Sequence, residues 1–470
     1  MLDALSWLIV ILAFFLLSTF LIKKYVKGSQ TWLIISMLRF SKPLKIFDIL
    51  VKHPRIVNGL TDIGLVIGFG SVAVDYLWLK KKPFPVRAGG FLISMIVLGG
   101  ITGLVFPTTN PIIPIPLIIM QFFFGIFGLA GIILVSLFYS GLDIITKITT
   151  GKNACAGVAP VIPGVDLPNS PISVPLHAWL SFVIILIVHE ASHGFVIRKL
   201  GMKLKSYGLL LLGFLPIGAF VEPDEKELQE LERKQPKEAL RMYAAGPASN
   251  FYFFIVGGII FTLIGGFIIG PLIMPALTSI HTQTVSGVQV GEVDELITIC
   301  GTEFHAPAFG VLQKGDKLVK VDGEKASTLQ EYASLVSGKK SYTLLVQRGD
   351  ETFEHVFEPN DLGRIGITVE EIPNHDYTPP EWYDPLRMMM GTIAGFLGWL
   401  LLLNFLVATA NFIPISPFDG GKMARILVAP YLGFIGLNEE DTKKLIGKIF
   451  GIILIILIIV NAAPLLIVAK

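Results

Sequence analysis

Ser181-Phe-Val-Ile-Ile-Leu-Ile-Val-His189-Glu190-Ala-Ser-His193-Gly194-Phe-Val-Ile197 is the stretch whose reading decides the fold. It belongs to an apolar run over about 174 to 197, and about 20 such residues in a helix cross the roughly 30 Å hydrocarbon layer. The two histidines stand at i and i+4, so on that helix they share one face a turn apart. Imidazoles so placed can reach a single Zn²⁺, with Glu190 at the adjacent position able to act as general base. A glutamate and two histidines inside lipid are costly unless they have partners, which makes function the default reading of such groups.

The rest of the chain fits that solvent. Of 470 residues, 53% are apolar and 16% charged, and the mean hydropathy is +0.68, far from a soluble domain. Lysine and arginine number 38 against 36 acids, a net charge of +2, so no nucleic-acid partner is expected on the ground of overall basicity. Two cysteines, Cys155 and Cys300, are too few for a disulfide scaffold or a multi-cysteine metal cluster.

The expected fold is a polytopic α-helical membrane protein of about eight transmembrane helices with an inserted small β-rich domain. Clear spans are Ala4 to Ile22, two within Ala88 to Leu142 separated at Pro107 to Pro116, and runs at 174 to 197, 250 to 270, 388 to 413 and 449 to 469. An eighth, Leu60 to Leu79, contains Asp62 and Asp75 and precedes Lys80, Lys81 and Lys82. Between Lys23 and Arg55 lie eight basic residues and one acid, which puts that loop in the cytoplasm. Counting onward, 198 to 248 is cytoplasmic and 271 to 387 lies outside, while the triple lysine falls outside against the charge rule. If Leu60 to Leu79 did not cross, every later segment would change side. The expected location is a prokaryotic plasma membrane, with the active site near its cytoplasmic face.

Four regions follow: 1–173, an amino-terminal part of about four spans; 174–270, the core with a cytoplasmic hairpin; 271–387, the outer domain; and 388–470, the returning core. The outer domain holds 18 acids against 9 basic residues. Strand-like runs occur at Asp316 to Gly323, Tyr342 to Gln347 and Thr352 to Phe357, with a helix-like piece at Leu329 to Val336.

A catalytic zinc takes three protein ligands and keeps one position open. Asp419, in Asn411-Phe-Ile-Pro414-Ile-Ser-Pro417-Phe418-Asp419-Gly420-Gly421, is the candidate third ligand, because it and His189 fall near the cytoplasmic ends of their spans. The double glycine permits a tight turn that aims the carboxylate inward; read alone, the same motif is an ordinary turn. His177 lies twelve residues, roughly 18 Å of helix, before His189 and cannot share its metal.

At this point the sequence resembles the site-2 protease family of intramembrane zinc metalloproteases. Three motifs in the family's order carry the resemblance: His189-Glu190-Ala-Ser-His193, Gly246-Pro247-Ala-Ser-Asn250, and Asn411 with Pro414 leading to Asp419-Gly420-Gly421. Phe418 stands where many members have leucine. Gly213 to Val221 resembles the membrane-associated hairpin after the zinc helix, and Ala306 to Asp316 with Val319 to Gly323 resembles a PDZ domain. The resemblance implies one Zn²⁺ held by His189, His193 and Asp419, with Glu190 as the catalytic acid and base. It implies a membrane-embedded protein substrate, cut within its transmembrane segment in regulated intramembrane proteolysis. Asn250 and Asn411 each offer an amide for the unwound substrate backbone or the developing oxyanion, and the stretch Tyr207 to Val221 offers a strand edge on which substrate can pair.

Two other readings remain at this point. A multi-span zinc protease that trims prenylated protein tails also carries His-Glu-x-x-His, but takes a downstream glutamate as third ligand. A non-enzymatic receptor or zinc transporter would need no Glu190 between the histidines.

Overall fold

The computed structural model describes residues 4–41, 50–105, 116–165, 170, 172–300 and 302–466. Among the described residues, seven helices are long and apolar enough to cross a membrane. In chain order the elements begin with α1 (Ala4–Tyr25), β1 (Gln30–Trp32), β2 (Ile35–Phe40), α2 (Pro54–Val74, prolonged through Leu79 by a wider turn), α3 (Phe84–Val105) and α4 (Leu117–Thr149). Next come α5 (Trp179–Lys199), β3 (Leu204–Leu212), β4 (Leu215–Pro223), α6 (Glu225–Lys234), α7 (Pro236–Ile264), α8 (Gly270–Leu272) and α9 (Met274–Thr284). The proline-rich break expected at Pro107 to Pro116 lies, apart from Pro116, outside the described residues.

A β-rich domain follows: β5 (Val285–Val293), β6 (Leu296–Ile299), β7 (Thr302–His305), β8 (Lys317–Val321), β9 (Glu324–Lys325), α10 (Leu329–Val336), β10 (Tyr342–Arg348), β11 (Glu351–Phe357) and β12 (Ile367–Pro373). Its sheet has the order β11-β10-β8-β5-β12, all antiparallel, with β9 paired to β8. Val288, Val290, Leu318, Leu344, Val346 and Phe357 form its core under Tyr332 of α10. The expected strands and the helix at Leu329 to Val336 are all present. The chain returns through α11 (Tyr383–Asn411), α12 (Asp419–Val428) and α13 (Glu439–Ala462).

The hairpin expected between Tyr207 and Val221 is present as β3 and β4, but in a larger sheet of order β1-β2-β3-β4. The loop after α1 supplies β1 and β2, with Ile35 opposite Leu212 and Phe40 opposite Tyr207. This leaves β4 as an edge strand.

The amino-terminal helices depart from straight spans. α2 and α4 each hold one glycine outside helical backbone, Gly70 (φ 54°, ψ −139°) and Gly128 (φ 57°, ψ −144°), a region only glycine enters cheaply. Each helix doubles back there. On α2, Lys199 donates to both Asn58 and Glu238, Asp62 pairs with Arg241, and Gly64 abuts Ala248, so the first arm climbs along α7. Past Gly70 the second arm descends, and the Leu77 carbonyl accepts from Lys237 Nζ at 3.3 Å, back at the start of α7. A straight helix would part Asn58 and Leu77 by about 28 Å. On α4, a Cβ at Gly131 would meet the Phe123 carbonyl oxygen at 2.3 Å, although eight residues of straight helix span about 12 Å.

The two bends touch. A Cβ on Gly70 would lie 2.7 Å from Gly128 N, and one on Gly128 would lie 2.3 Å from the Ile67 carbonyl oxygen. The Ser71 hydroxyl donates to the Gly125 carbonyl at 2.8 Å, and Ser94 donates to Ser71, so backbone groups freed at the bends find partners, as low-dielectric surroundings demand. α4 begins against the far end of α3, where a Cβ at Gly99 would meet the Gln121 carbonyl, and its second arm takes Asn461 of α13 on the Leu137 carbonyl. The acids that made Leu60 to Leu79 an awkward span are matched inside the protein: Asp62 by Arg241, Asp75 by Arg87 and Tyr431. The two cysteines form one bridge, Cys155–Cys300, between the α4–α5 connection and the β6–β7 turn.

Candidate metal centre

α5 turns one face toward α7 and the start of α12, and the site forms where the three meet. His189 and His193 stand one turn apart, edge to face, with ring centroids 4.9 Å apart. Asp419 opens α12, where a carboxylate suits the positive end of the helix dipole, and its Oδ2 lies 3.3 Å from His189 Nε2 and 3.0 Å from His193 Nε2. All three ligand atoms fall within 4.8 Å of one another. His177 sits in the short turn before α5, away from this group. Gly420 and Gly421 are helical, and their role is close approach: a Cβ on either would meet the backbone of residues 412–416 at 2.4–2.8 Å. That contact seats Asp419 on the preceding turn, so the glycines serve packing where the sequence suggested turning.

The outer nitrogens of both imidazoles are engaged. His193 Nδ1 donates to the Met242 carbonyl at 2.8 Å, which leaves Nε2 free as a ligand. Asn250, fully buried, places its amide nitrogen 3.2 Å from His189 Nδ1, while its Oδ1 has no partner. A flip of that amide would offer Oδ1 to an Nδ1–H, the tautomer a metal on Nε2 requires. Gly246 supplies the last wall: a Cβ there would stand 2.4 Å from His193 Nε2 and 2.5 Å from His189 Nε2. The space kept clear by this glycine, the donor set and the orphaned Oδ1 together fit a zinc-type centre with three protein ligands and an open side.

That open side faces a cavity of about 310 Å³ lined in part by Glu190, Phe220, Val221, Tyr243, Asn411 and Lys422. Glu190 Oε2 accepts from the Val221 backbone N–H at 3.0 Å, a donor on the edge strand β4. Asn411 donates to the Val407 carbonyl of its own helix and faces the cavity; Asn250 lies behind His189 and does not line it. Lys422 Nζ is 3.4 Å from Asp419 Oδ1. Sequence reading missed Gly246 as a wall, because Gly-Pro looks like a helix start. In fact Pro247 lies inside α7, which begins at Pro236.

The family model described as peptidase family M50 matches residues 177–458. The chain belongs to peptidase family M50. The His-His-Asp group lies within the matched segment. An uncharacterized protein of Methanocaldococcus jannaschii is 27% identical over 278 residues, 58% of this chain and 61% of that protein. The match thus spans about six-tenths of the relative's length. α1 to α4 precede the M50 match.

Proposed function

We propose that this M50 peptidase is an intramembrane zinc endopeptidase that cuts peptide bonds within transmembrane segments of membrane-protein substrates, the chemistry of regulated intramembrane proteolysis. The observation that carries the reading is the convergence of His189, His193 and Asp419 beside Glu190 on a cavity bordered by β4. An aspartate as third ligand also separates this site from the prenyl-tail proteases, which take a glutamate.

Zinc bound by these three residues would supply an acidified water and a polarised carbonyl. Glu190, one residue from His189 and on the cavity wall, takes the proton from the attacking water and passes it to the leaving amine. Asn411 faces the same space and can bond the substrate backbone or the developing oxyanion. Asn250, buried on His189 Nδ1, is better suited to holding that ring than to meeting substrate. A transmembrane helix hides its carbonyls in its own hydrogen bonds and must unwind before it is cut. The edge of β4 offers the replacement partner: Glu190 already caps the Val221 N–H, so a strand added there would run past the general base.

The proposed orientation is supported by α2 and α4. α2 begins and ends at the end of the bundle carrying Lys199 and Lys237, and α4 begins and ends at the opposite one. As re-entrant elements neither changes side, and the two omissions cancel. The site then faces the cytoplasm and the β-rich domain lies outside, PDZ-like and poised as a size filter above the bundle. Lys80 to Lys82 moves to the cytoplasmic face, where the charge rule wants it. A bridge between Cys155 and Cys300 suits an oxidising exterior.

The test is Glu190→Gln in the purified full chain, with bound zinc measured alongside cleavage of a single-span substrate in proteoliposomes. Zinc retained with cleavage lost is the expected result, and cleavage retained would overturn the mechanism.

A further inference from the structure

We propose that the folded-back helix α2, which precedes the segment matched to the family, is part of the site's scaffold, and that Asp62 is a positioning residue for the metal centre. The inference rests on reading His189, His193 and Asp419 as that centre.

Asp62 and Arg241 are 7% and 9% exposed, and the guanidinium grips the carboxylate through two bonds of 2.8 and 2.6 Å. Arg241 also bonds Glu238, and Glu238 bonds Lys199, six residues beyond His193 on α5. One charge network therefore ties α2 to both helices that build the site. The residue after Arg241 is Met242, whose carbonyl takes His193 Nδ1, and Gly246 abuts both Nε2 atoms. α7 continues as helix through all of these positions, so the rotation fixed at Arg241 reaches Met242 and Gly246 directly.

The apolar face of the same arm repeats the pattern. Gly64 and Gly68 stand four residues apart, the spacing that lets helices approach closely in a bilayer. A Cβ on Gly64 would come within 2.3 Å of the Ala248 Cβ, and one on Gly68 within 2.3 Å of the Phe412 ring. Ala248 lies between Gly246 and Asn250, and Phe412 follows Asn411. The arm thus presses on both chain segments that surround the ligands. A buried ion pair is a poor source of net stability, and its best-attested use is to fix register. Here the register is that of α7 against α5.

The experiment uses the full chain in detergent, loaded with Co²⁺ for its visible spectrum and with Zn²⁺ for affinity by chelator competition. Asp62→Asn, close in shape, is compared with Asp75→Asn, which breaks a half-buried pair on the second arm of α2. Asp62→Asn is expected to shift the Co²⁺ bands and weaken Zn²⁺ by about 10–100-fold, the usual effect of disturbing groups that orient ligands. Asp75→Asn is expected to lower the melting temperature while leaving spectrum and affinity as in the parent. Should Asp62→Asn fail to fold, Arg241→Lys keeps the charge, loses the two-pronged grip and is expected to give the same spectral shift. A folded Asp62→Asn with unchanged bands and affinity would overturn the proposal, as would both aspartate variants changing in parallel with stability. A parent protein that takes up neither metal would instead overturn the metal-centre reading.

Discussion

Two clusters of ionisable side chains sit a few residues apart on α5 and α7, and they are built on opposite plans. Around Arg241, Asp62 meets a guanidinium, Glu238 meets the same guanidinium and the Lys199 amine, and Lys199 also reaches Asn58. Around His189, an aspartate and two imidazoles bring their ligand atoms together, with Lys422 only at 3.4 Å from the outer carboxylate oxygen. The first cluster neutralises itself and holds helices. The second converges on a shared point that a glycine keeps clear, an arrangement that would suit a cation. Matched charge marks structure, and converging lone pairs mark chemistry.

The comparison breaks most sharply at Glu190. Glu190→Gln should lower cleavage by about 10²–10⁴-fold, the usual worth of a general acid–base group, with metal content unchanged. Next in size is Gly246→Ala, whose new methyl would occupy the space between the imidazoles. Metal analysis of the purified variant should show zinc lost while the helical circular dichroism persists. In the self-neutralised class, Asp75→Asn removes the buried charge that faces the partly exposed Arg87, to be read as a lower melting temperature with the metal retained. Placement of the bends is tested by Lys81→Cys, which an impermeant maleimide should label only after the cytoplasmic face is opened.

The smallest effect belongs to the β-rich domain. Burial raises the pKa of Asp316, but bonds from Arg348 and the Gln313 N–H outweigh it and hold the carboxyl below its usual value. A lowered folded-state pKa gives stability that is present above the unfolded value, about 3.9, and is lost as pH falls through the folded one. Acid titration of the domain's near-ultraviolet signal should therefore show weakening only below about pH 4, and Asp316→Asn should remove that step.

Part of the candidate site was legible in the sequence: its two histidines lie four residues apart, and Asp419, though 226 positions beyond His193, follows a span that ends at a matching depth. His189 and His193 declare themselves through helical spacing, and Asp419 through depth and an otherwise acid-free span. The hairpin and the helix at Leu329 to Val336 follow from short-range pattern in the same way. The re-entrant course of α2 was not legible, since hydropathy counts apolar residues and is blind to the direction of travel after Gly70. Asp62 looked like a flaw in a span because its partner, Arg241, is 179 positions away. Cys155 and Cys300, 145 positions apart, gave no local sign of pairing.

That bridge also bears on movement. The β-rich domain joins the bundle through α9 at one edge and through residues 374–382 at the other, two strands of chain about which it could rock like a flap. Cys300, at the β6–β7 turn, pins a third corner to the segment just after α4, where Thr302 also reaches the Asn153 carbonyl. Three attachments define a plane. If substrate passes beneath this domain, as proposed, its clearance is set in advance, and in reducing solution, with the third corner released, longer ectodomains should pass.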